Sequence, residues 1–443
     1  MSDDGFAAGA GCRCSMCQSY ALGGTDGSGP QFITRQAAST GDYRVDALVY
    51  PDLDRWNSLA AVGTPAPVTY SFLSAANSSG DNFGFAPVNG TQIEGARAAF
   101  ATWEATTNIK FVEVSSGGDI AIGTNYQTDS SAYAYSPGTT YGGDIYLSNA
   151  ISSNLDMSAG GFGFLTFIHE IGHAIGLKHP GSYNGSSNSG IPPYLSAAED
   201  TLDNTVMSYN GFGSPYPSAP QSYDVLAIQY LYGAKGSTGI SYSQSGDVLF
   251  TTGSSAADTL IGINLNDRLS GGDGGDTIYG QTGDDTIYGN VGIDRLSGAA
   301  GNDVLFGGRD ADLVYGGAGN DAVYGNLADD VVYGEAGNDA LYGGQGNDTL
   351  SGGSGNDTLF GNLGDDYLVG GSGANKFVIN SGNDTIGDFA LSLGDRIRVA
   401  SGTTISVASA SDGAVISFSN SSATVKLIGV SSSSVSSGFL EFF

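Results

Sequence analysis

A nine-residue repeat constrains this chain more than any other feature of the sequence. Fourteen consecutive nonads run from Gly253 to Val378 without an insertion. Position one is glycine throughout, position six is aspartate in all but the last nonad (which has Asn375), and position eight is always apolar. A strand this short can bury its apolar residue only against the neighbouring coils. The pattern therefore predicts an all-β parallel roll, with position eight pointing into the stack.

The aspartates of the repeat indicate calcium. The pattern matches G-G-x-G-x-D-x-U-x, which is typical of the calcium-binding β-roll of RTX proteins. Residues 253–378 contain 18 Asp and one Glu against three Arg and one Lys, so they carry 15 of the chain's 30 net negative charges. A metal-free solenoid has no use for an acid in every turn, and these acids would repel one another without cations. We expect the roll to be unfolded without calcium and folded with it.

The glycines of the repeat separate strong from weak calcium turns. Glycines at positions one and four are expected to allow positive φ and close backbone approach. Position four is glycine in ten nonads, and Ala256, Leu265, Asp310 and Ala328 replace it in the others. We expect those four turns to bind calcium weakly or not at all. The predicted calcium ligands are Asp276, Asp285, Asp294, Asp303, Asp321, Asp339, Asp348, Asp357 and Asp366.

The three histidines of the chain predict one catalytic zinc ion. They lie in His169-Glu170-Ile-Gly-His173-Ala-Ile-Gly176-Leu-Lys-His179, which fits the extended metzincin motif. His169 and His173 share a helix face, and Gly176 can turn the chain so that His179 returns as a third ligand. Three imidazoles leave zinc an open position, which is typical of catalysis rather than structure. Glu170 is then the predicted general base.

A second element follows 28 residues after His179. Val206-Met207-Ser208-Tyr209 is similar to a Met-turn, in which Met207 packs beneath the zinc. Tyr209 is a candidate for both a movable zinc ligand and a donor to the oxyanion.

Helices are predicted over Thr91–Thr107, Phe162–Ile175 and Asp224–Tyr232. Strands are predicted at Val68–Phe72, Ile109–Val114 and Asp119–Ile122.

Taken together, these pieces resemble the serralysin family of metzincins from about Asp46 to the end. The resemblance also rests on Ala198–Thr201 and on the segment from Asp224 to Gly233. It implies an α+β catalytic domain, with a mixed twisted sheet and an active-site helix, followed by the β-roll and a C-terminal β cap. The segment Ala132-Tyr133-Ala134-Tyr135-Ser136 resembles the family's edge strand, which pairs with extended protein or peptide substrates. The implied enzyme is a metalloendopeptidase that carries one zinc and several calcium ions.

Localisation depends on the resemblance. The N-terminus has no signal peptide and no apolar run is long enough for a membrane span, which alone would indicate a cytoplasmic protein. The strong acidity argues against nucleic acid or an anionic membrane as a partner. The family instead implies a secreted, extracellular monomer that leaves through a type I exporter by an uncleaved C-terminal signal. Glu441-Phe442-Phe443 resembles such a signal.

The expected organisation has three parts. Residues 1–34 form a leader or pro-segment, residues 35–240 the catalytic domain, and residues 241–443 the roll with its cap and secretion signal. All three cysteines lie in the leader. One of Cys12, Cys14 or Cys17 is a candidate zymogen ligand of the zinc, and the alternative is that they are unrelated thiols.

The sequence also departs from the family in two places. Ser182 makes a calcium site after the third histidine doubtful, and the segment between the catalytic domain and the roll is short. Two other functions stay open. One is a calcium-dependent adhesion protein with a relict protease domain, and the other is a protease limited to its own maturation.

Overall fold

A computed structural model describes residues 40–49, 56, 63–76, 83–128, 130–137, 142–181, 195–211, 215–236 and 239–442. The chain divides into two compact units, Met1–Ser237 and Thr238–Phe443. The sequence analysis places this boundary at residue 240. The predicted leader, its three cysteines, Ser182 and Phe443 lie outside the described residues. No helix in the described ranges is long and apolar enough to cross a membrane.

The first unit is a mixed sheet packed with helices, as predicted. Its helices are α1 (Tyr43–Leu48), α2 (Gly90–Glu104), α3 (Phe162–Ala174) and α4 (Ser222–Tyr232), with a 3₁₀ turn at Ser152–Leu155. Its strands are β1 (Ala66–Phe72), β2 (Ile109–Glu113), β3 (Ile120–Asn125), β4 (Ala132–Ala134) and β5 (Ile145–Ser148). The sheet order is β2-β1-β3-β5-β4, parallel except for the antiparallel pair β4–β5.

Local sequence explains where the two long central helices form. Asn89 caps α2, and Gln92 completes a capping box with it. The buried stripe of α2 includes Trp103, whose Nε1–H donates to the carbonyl of Ile168 at 3.2 Å. Helix α3 is buried on all sides rather than on the single face that its periodicity predicts. It is therefore the central helix of this unit.

The second unit is a parallel β-roll built from two 11-stranded sheets. Coils alternate between the sheets, so each repeat strand pairs in parallel with the strand 18 residues away, as Ile278 does with Leu296. The strands are β6 Ser241–Ser245, β7 Val248–Thr252, β8 Thr259–Ile261, β9 Asp267–Asp273, β10 Thr277–Thr282, β11 Thr286–Val291, β12 Arg295–Ala300, β13 Val304–Arg309, β14 Leu313–Ala318, β15 Ala322–Leu327, β16 Val331–Ala336, β17 Ala340–Gln345, β18 Thr349–Ser354, β19 Thr358–Leu363, β20 Tyr367–Ser372, β21 Lys376–Val378, β22 Asn383–Ile386, β23 Arg396–Val399, β24 Ile405–Ala410, β25 Gly413–Phe418, β26 Thr424–Ile428 and β27 Leu440–Phe442. Three 3₁₀ turns lie at Leu391–Leu393, Ser432–Ser434 and Ser437–Phe439.

Position eight forms the core of the roll, as predicted. All fourteen side chains, from Leu260 to Phe377, are at most 1% exposed. Each strand thus supplies one apolar residue to a continuous column, and stacking the coils buries it.

The two glycine positions differ from the prediction in one respect. Position-four glycines do have positive φ, but the second left-handed position of the nonads is position two, as in Gln281 and Asn290, and not position one. Position one is glycine for lack of space. A Cβ on Gly280 would lie 2.2 Å from Asp285 Oδ2 and 2.8 Å from the carbonyl of Gly298. The prediction of positive φ at position one was therefore wrong, whereas that of close approach is confirmed.

The roll also continues beyond the predicted last nonad. Asp384 and Ile386 repeat positions six and eight in β22, and Asp395 and Ile397 repeat them in β23. The antiparallel strands β24, β25 and β26 then close one sheet, and β27 pairs with β23 in the other. The C-terminal β cap is confirmed, and two further coils of the roll lie between the last predicted nonad and the cap.

Candidate zinc and calcium sites

The structure brings the three histidines together. The Nε2 atom of His179 lies 3.1 Å from Nε2 of His169 and 3.0 Å from Nε2 of His173. The Nδ1 atoms of His169 and His173 bond to the carbonyls of Val206 at 2.7 Å and Leu177 at 2.8 Å. Because a carbonyl can only accept, each Nδ1 carries the proton and each Nε2 keeps its lone pair. The tautomers are therefore those that a metal ligand needs.

Burial keeps the cluster uncharged. It lowers the pKa of His169 and of His173 to about 3, and that of His179 well below its ordinary value. Neighbouring imidazoles lower these pKa values further, since two positive rings would repel at this distance. A buried group of neutral nitrogens with convergent lone pairs fits one zinc ion.

A glycine turn returns the third histidine to the helix. Gly176 has φ +108°, where side chains are disfavoured. Its N–H donates to the carbonyl of His173, and the N–H of Leu177 donates to that of Gly172. These two bonds form a Schellman motif that ends α3. The prediction that Gly176 reverses the chain is confirmed.

The loop after α3 is also held by aromatic donors from elsewhere in the unit. Trp56 Nε1–H donates to the carbonyl of Ala174 at 2.9 Å, and the Tyr232 hydroxyl donates to that of Ile175 at 3.0 Å. Both bonds satisfy carbonyls at the helix end that lack an intrahelical partner. The sequence analysis missed both residues, because only the fold brings them to this loop.

Met207 is fully buried and lies against Gly172 of α3. A Cβ on Gly172 would lie 2.5 Å from the Met207 sulfur, so the glycine between the first two histidines makes room for the methionine. The carbonyl of Val206 orients His169. The turn thus supports the histidines by packing and by a hydrogen bond.

Asp224 holds the Met-turn in place and was missed as a site residue. Its carboxylate accepts from the Thr205 hydroxyl at 2.5 Å, from the Val206 N–H at 2.8 Å and from the Gln221 N–H at 2.8 Å. The side chain is fully buried, and this raises the pKa of Asp224 to about 7. It links the first turn of α4 to the residue whose carbonyl orients His169.

The two predicted catalytic side chains lie beside the cluster. The Tyr209 ring stacks on His169, with 5.4 Å between centroids, and lies 4.7 Å from the His179 ring. Glu170 is 5% exposed, and its buried Oε2 has no hydrogen-bond partner among the described residues. Burial raises the pKa of Glu170 to about 8, and a cation held by the histidines would lower it again.

The predicted edge strand lies at the end of the sheet and packs against α3. Ala132 and Ala134 are buried, and such small side chains allow close approach to the helix. Tyr133 points the other way, stacks on Tyr146 with 5.4 Å between centroids, and accepts a hydrogen bond from Asn125 at 2.8 Å. Among the described strands, only β5 pairs with β4. The pairing of β4 with an extended substrate stays a prediction.

The position-six aspartates from Asp276 to Asp366 share one geometry along the roll. One oxygen, Oδ1, accepts from the backbone N–H of the aspartate 18 residues earlier, as Asp294 does from Asp276 at 2.7 Å. The other oxygen, Oδ2, is buried without a hydrogen-bond partner in all nine predicted ligands. Buried, anionic and unpartnered oxygens fit calcium.

Asp312 and Asp330, which belong to turns without the position-four glycine, have the same geometry. Their Oδ2 atoms are also buried and without a hydrogen-bond partner. Asp310 and Ala328 adopt the left-handed conformation in spite of their side chains, with φ values of +74° and +87°. These two of the four turns predicted to be weak are therefore built like the strong ones. In the other two, Oδ2 of Asp258 and Oδ2 of Asp267 accept from the backbone N–H of Ser254 and of Ile263. The calcium affinity of all four turns stays a prediction.

Comparisons with known proteins agree with both sites. Residues 68–187 match the matrixin family, and residues 252–386 match the RTX calcium-binding nonapeptide repeat in overlapping blocks. Serralysin of Proteus mirabilis is 35% identical over 48% of each chain. Serralysin C of Dickeya chrysanthemi is 36% identical over 41% of this chain and 42% of its own. Metallopeptidase AprA of Pseudomonas marginalis is 34% identical over 52% and 53%.

The chain spans about half the length of these curated relatives. The matched segments include the three histidines and the calcium turns described above. A matrixin domain followed by RTX repeats, with serralysin relatives at about 35% identity, supports the serralysin family for this chain.

Proposed function

We propose that this protein is a secreted zinc-dependent endopeptidase whose repeat domain is stabilised by calcium. One observation carries the proposal. Three neutral imidazole nitrogens converge next to Glu170, a buried carboxylate with one oxygen that accepts no hydrogen bond from the part of the chain that the structure describes. A structural zinc site has no need of an unpaired acid beside it, whereas hydrolysis needs a base at that place.

The side chains divide the work of peptide hydrolysis. Zinc held by His169, His173 and His179 would supply Lewis acidity to the scissile carbonyl and to water. Glu170 takes a proton from the attacking water and delivers it to the leaving amine. The Tyr209 hydroxyl donates to the oxyanion, and Tyr209 would be a further residue able to hold the zinc ion before substrate binds. Strand β4 aligns the substrate backbone across the site.

Secretion by a type I exporter is part of the proposal. Low calcium inside the cell would keep the roll unfolded for passage, and external calcium would fold it. In the folded roll Glu441 lies in β27, 3.3 Å from the Lys376 ammonium. Glu441 and Phe442 of the proposed signal are therefore part of a strand once the roll has formed. The cysteine hypothesis for Cys12, Cys14 and Cys17 stays a prediction, because they lie outside the described residues.

Casein hydrolysis by the calcium-loaded protein tests the proposal. Activity should be lost with a zinc chelator and return with added zinc. Glu170→Gln should lower kcat/KM by about 10²–10⁴-fold and keep one zinc per chain. Glu94→Gln is the matched control, since Glu94 is 72% exposed and pairs with Arg97 on α2.

Two results would contradict the proposed endopeptidase function or its mechanism. Full activity of Glu170→Gln would refute the general base. A folded, zinc-loaded protein without activity on casein would favour the adhesion protein, unless it cleaves its own N-terminal segment, which would favour a protease limited to maturation.

A further inference from the structure

Lys178 is a buried lysine next to the third histidine, and the proposed mechanism does not use it. Its side chain is 4% exposed, although it lies in a loop. Its backbone N–H donates to the carbonyl of Leu48 at 2.7 Å, and its ammonium Nζ donates to the carbonyl of Ala47 at 2.7 Å. A buried ammonium is costly unless it is paired, so this arrangement calls for an explanation.

Both acceptors are carbonyls at the C-terminal end of α1. Such carbonyls have no partner within the helix, and a cation there also interacts favourably with the helix dipole. The carboxylate of Asp46 is the negative charge that acts on the ammonium. It accepts from the N–H of Thr40 at 2.8 Å, which ties it to the residues before the helix. Helix α1 therefore supplies Lys178 with both a hydrogen-bond acceptor and a negative charge.

Helix α1 is itself firmly anchored. Its residues Val45, Ala47 and Leu48 are buried, and Asp42 caps its start. It packs against α4, the helix that also supplies Tyr232 to the loop after α3. The lysine thus connects the loop to a fixed part of the domain.

Lys178 lies between two residues that determine the geometry of the histidine cluster. Leu177 supplies the carbonyl that orients His173 through Nδ1, and His179 is the third ring. Leu177 also forms an isolated antiparallel bridge with Val49, directly after α1. If Lys178 lost its contacts with α1, both the Leu177 carbonyl and the His179 ring would be held less firmly in position.

We propose that Lys178 is a positioning residue that fixes the third zinc ligand by tethering its loop to the end of α1. The proposal rests on the zinc site of the proposed function. It assigns the ammonium no contact with substrate and no part in proton transfer. Its effect should therefore appear in zinc retention before any substrate is added.

The test measures zinc binding by the calcium-loaded, full-length protein in competition with a chromogenic chelator. Lys178→Met keeps the length of the side chain but removes the donor. It should weaken zinc binding about 10–100-fold, the range found when groups that orient metal ligands are removed. Lys178→Arg keeps a cationic donor and should recover most of that loss. Lys110→Met is the matched control, because the ammonium of Lys110 pairs with Glu104 of α2 at 3.0 Å.

A destabilised variant separates positioning from general loss of stability. Val112→Ala shortens a fully buried side chain in β2, at the opposite end of the sheet from β4. It should lower the melting temperature of the zinc-free protein and leave the zinc affinity unchanged. Equal loss of zinc affinity in Val112→Ala and Lys178→Met, at matched melting temperatures, would overturn the proposal. So would wild-type affinity in Lys178→Met. Absence of tight zinc binding by the wild type would instead refute the proposed zinc site.

Discussion

The calcium-free roll should become more stable as the solution becomes more acidic, which is opposite to the usual behaviour of acidic proteins. The reason lies in the position-six aspartates. Burial raises the pKa of ten such aspartates to values between about 6 and about 8. In the unfolded chain these groups titrate near the ordinary value of 3.8. The folded, calcium-free roll therefore holds protons that the unfolded chain has already lost.

The sign and size of the effect follow from this difference. Because the folded-state pKa is raised, the contribution to stability is complete below about pH 4 and is lost as the pH rises through about 6 to 8. A rise of two units corresponds to about 3 kcal/mol per carboxyl, and solvent screening in the turns reduces this to about 1 kcal/mol. Over ten turns the penalty at neutral pH is about 10 kcal/mol, comparable with the entire stability of a typical domain.

Circular dichroism of the metal-free protein, with its full chain, measures this pH dependence of the folded roll. The strand signal should be weak at about pH 7.5, increase on acidification towards about pH 5, and return at about pH 7.5 when calcium replaces the protons. Asp303→Asn removes one buried charge, so it should extend folding to higher pH without calcium and weaken stabilisation by calcium. Asp273→Asn, at an exposed site of the roll, should change neither. A calcium-free roll that is folded at neutral pH and unfolds on acidification would refute the reasoning.

Two further predictions concern packing in the roll, both measured by urea unfolding of the calcium-loaded protein. Leu305→Ala, at a fully buried position eight, should lower the free energy of unfolding by about 2–5 kcal/mol, whereas Leu363→Ala, 54% exposed, should change it by no more than about 0.5 kcal/mol. Gly319→Ala should cost about 3 kcal/mol or more, since Gly319 has φ +143° and a Cβ would lie 1.7 Å from the carbonyl of Gly301. Ala328→Gly should instead be neutral or stabilise by up to about 1 kcal/mol, because it relieves a left-handed alanine at φ +87°. Equal effects of the two leucine substitutions, or a tolerated Gly319→Ala, would contradict these assignments.

Features with a short sequence period could be predicted. Position eight lies in the core because a strand alternates its faces, and the three histidines converge because helix pitch and one glycine dictate it. Gly176 is recognisable for the same reason, since its neighbours along the chain define its role.

Features that depend on the fold could not be predicted from the sequence. The carbonyl that Lys178 reaches is 131 residues away, and the carbonyl that Trp56 reaches is 118 residues away. No local pattern marks either pair. The coil after Val378 was missed because Ile379 stands where the repeat has glycine, and two extra residues separate Asp384 from Asp395 in the next coil. The position-one glycine is required because the neighbouring coil leaves no space for a side chain. The sequence of a single nonad does not show this, so a positive φ was predicted there instead.

The two metal sites differ in how the absence of metal affects the stability of the fold. The histidines are neutral when buried, their tautomers are set by backbone carbonyls, and their support comes from Asp224, Met207 and the ends of α1 and α4. That site can persist without metal, because nothing in it repels its neighbours. The roll instead buries a carboxylate in every turn, and each needs either a proton or a cation. Loss of zinc should therefore abolish activity and leave the fold intact, whereas loss of calcium at neutral pH should remove the fold of the roll itself.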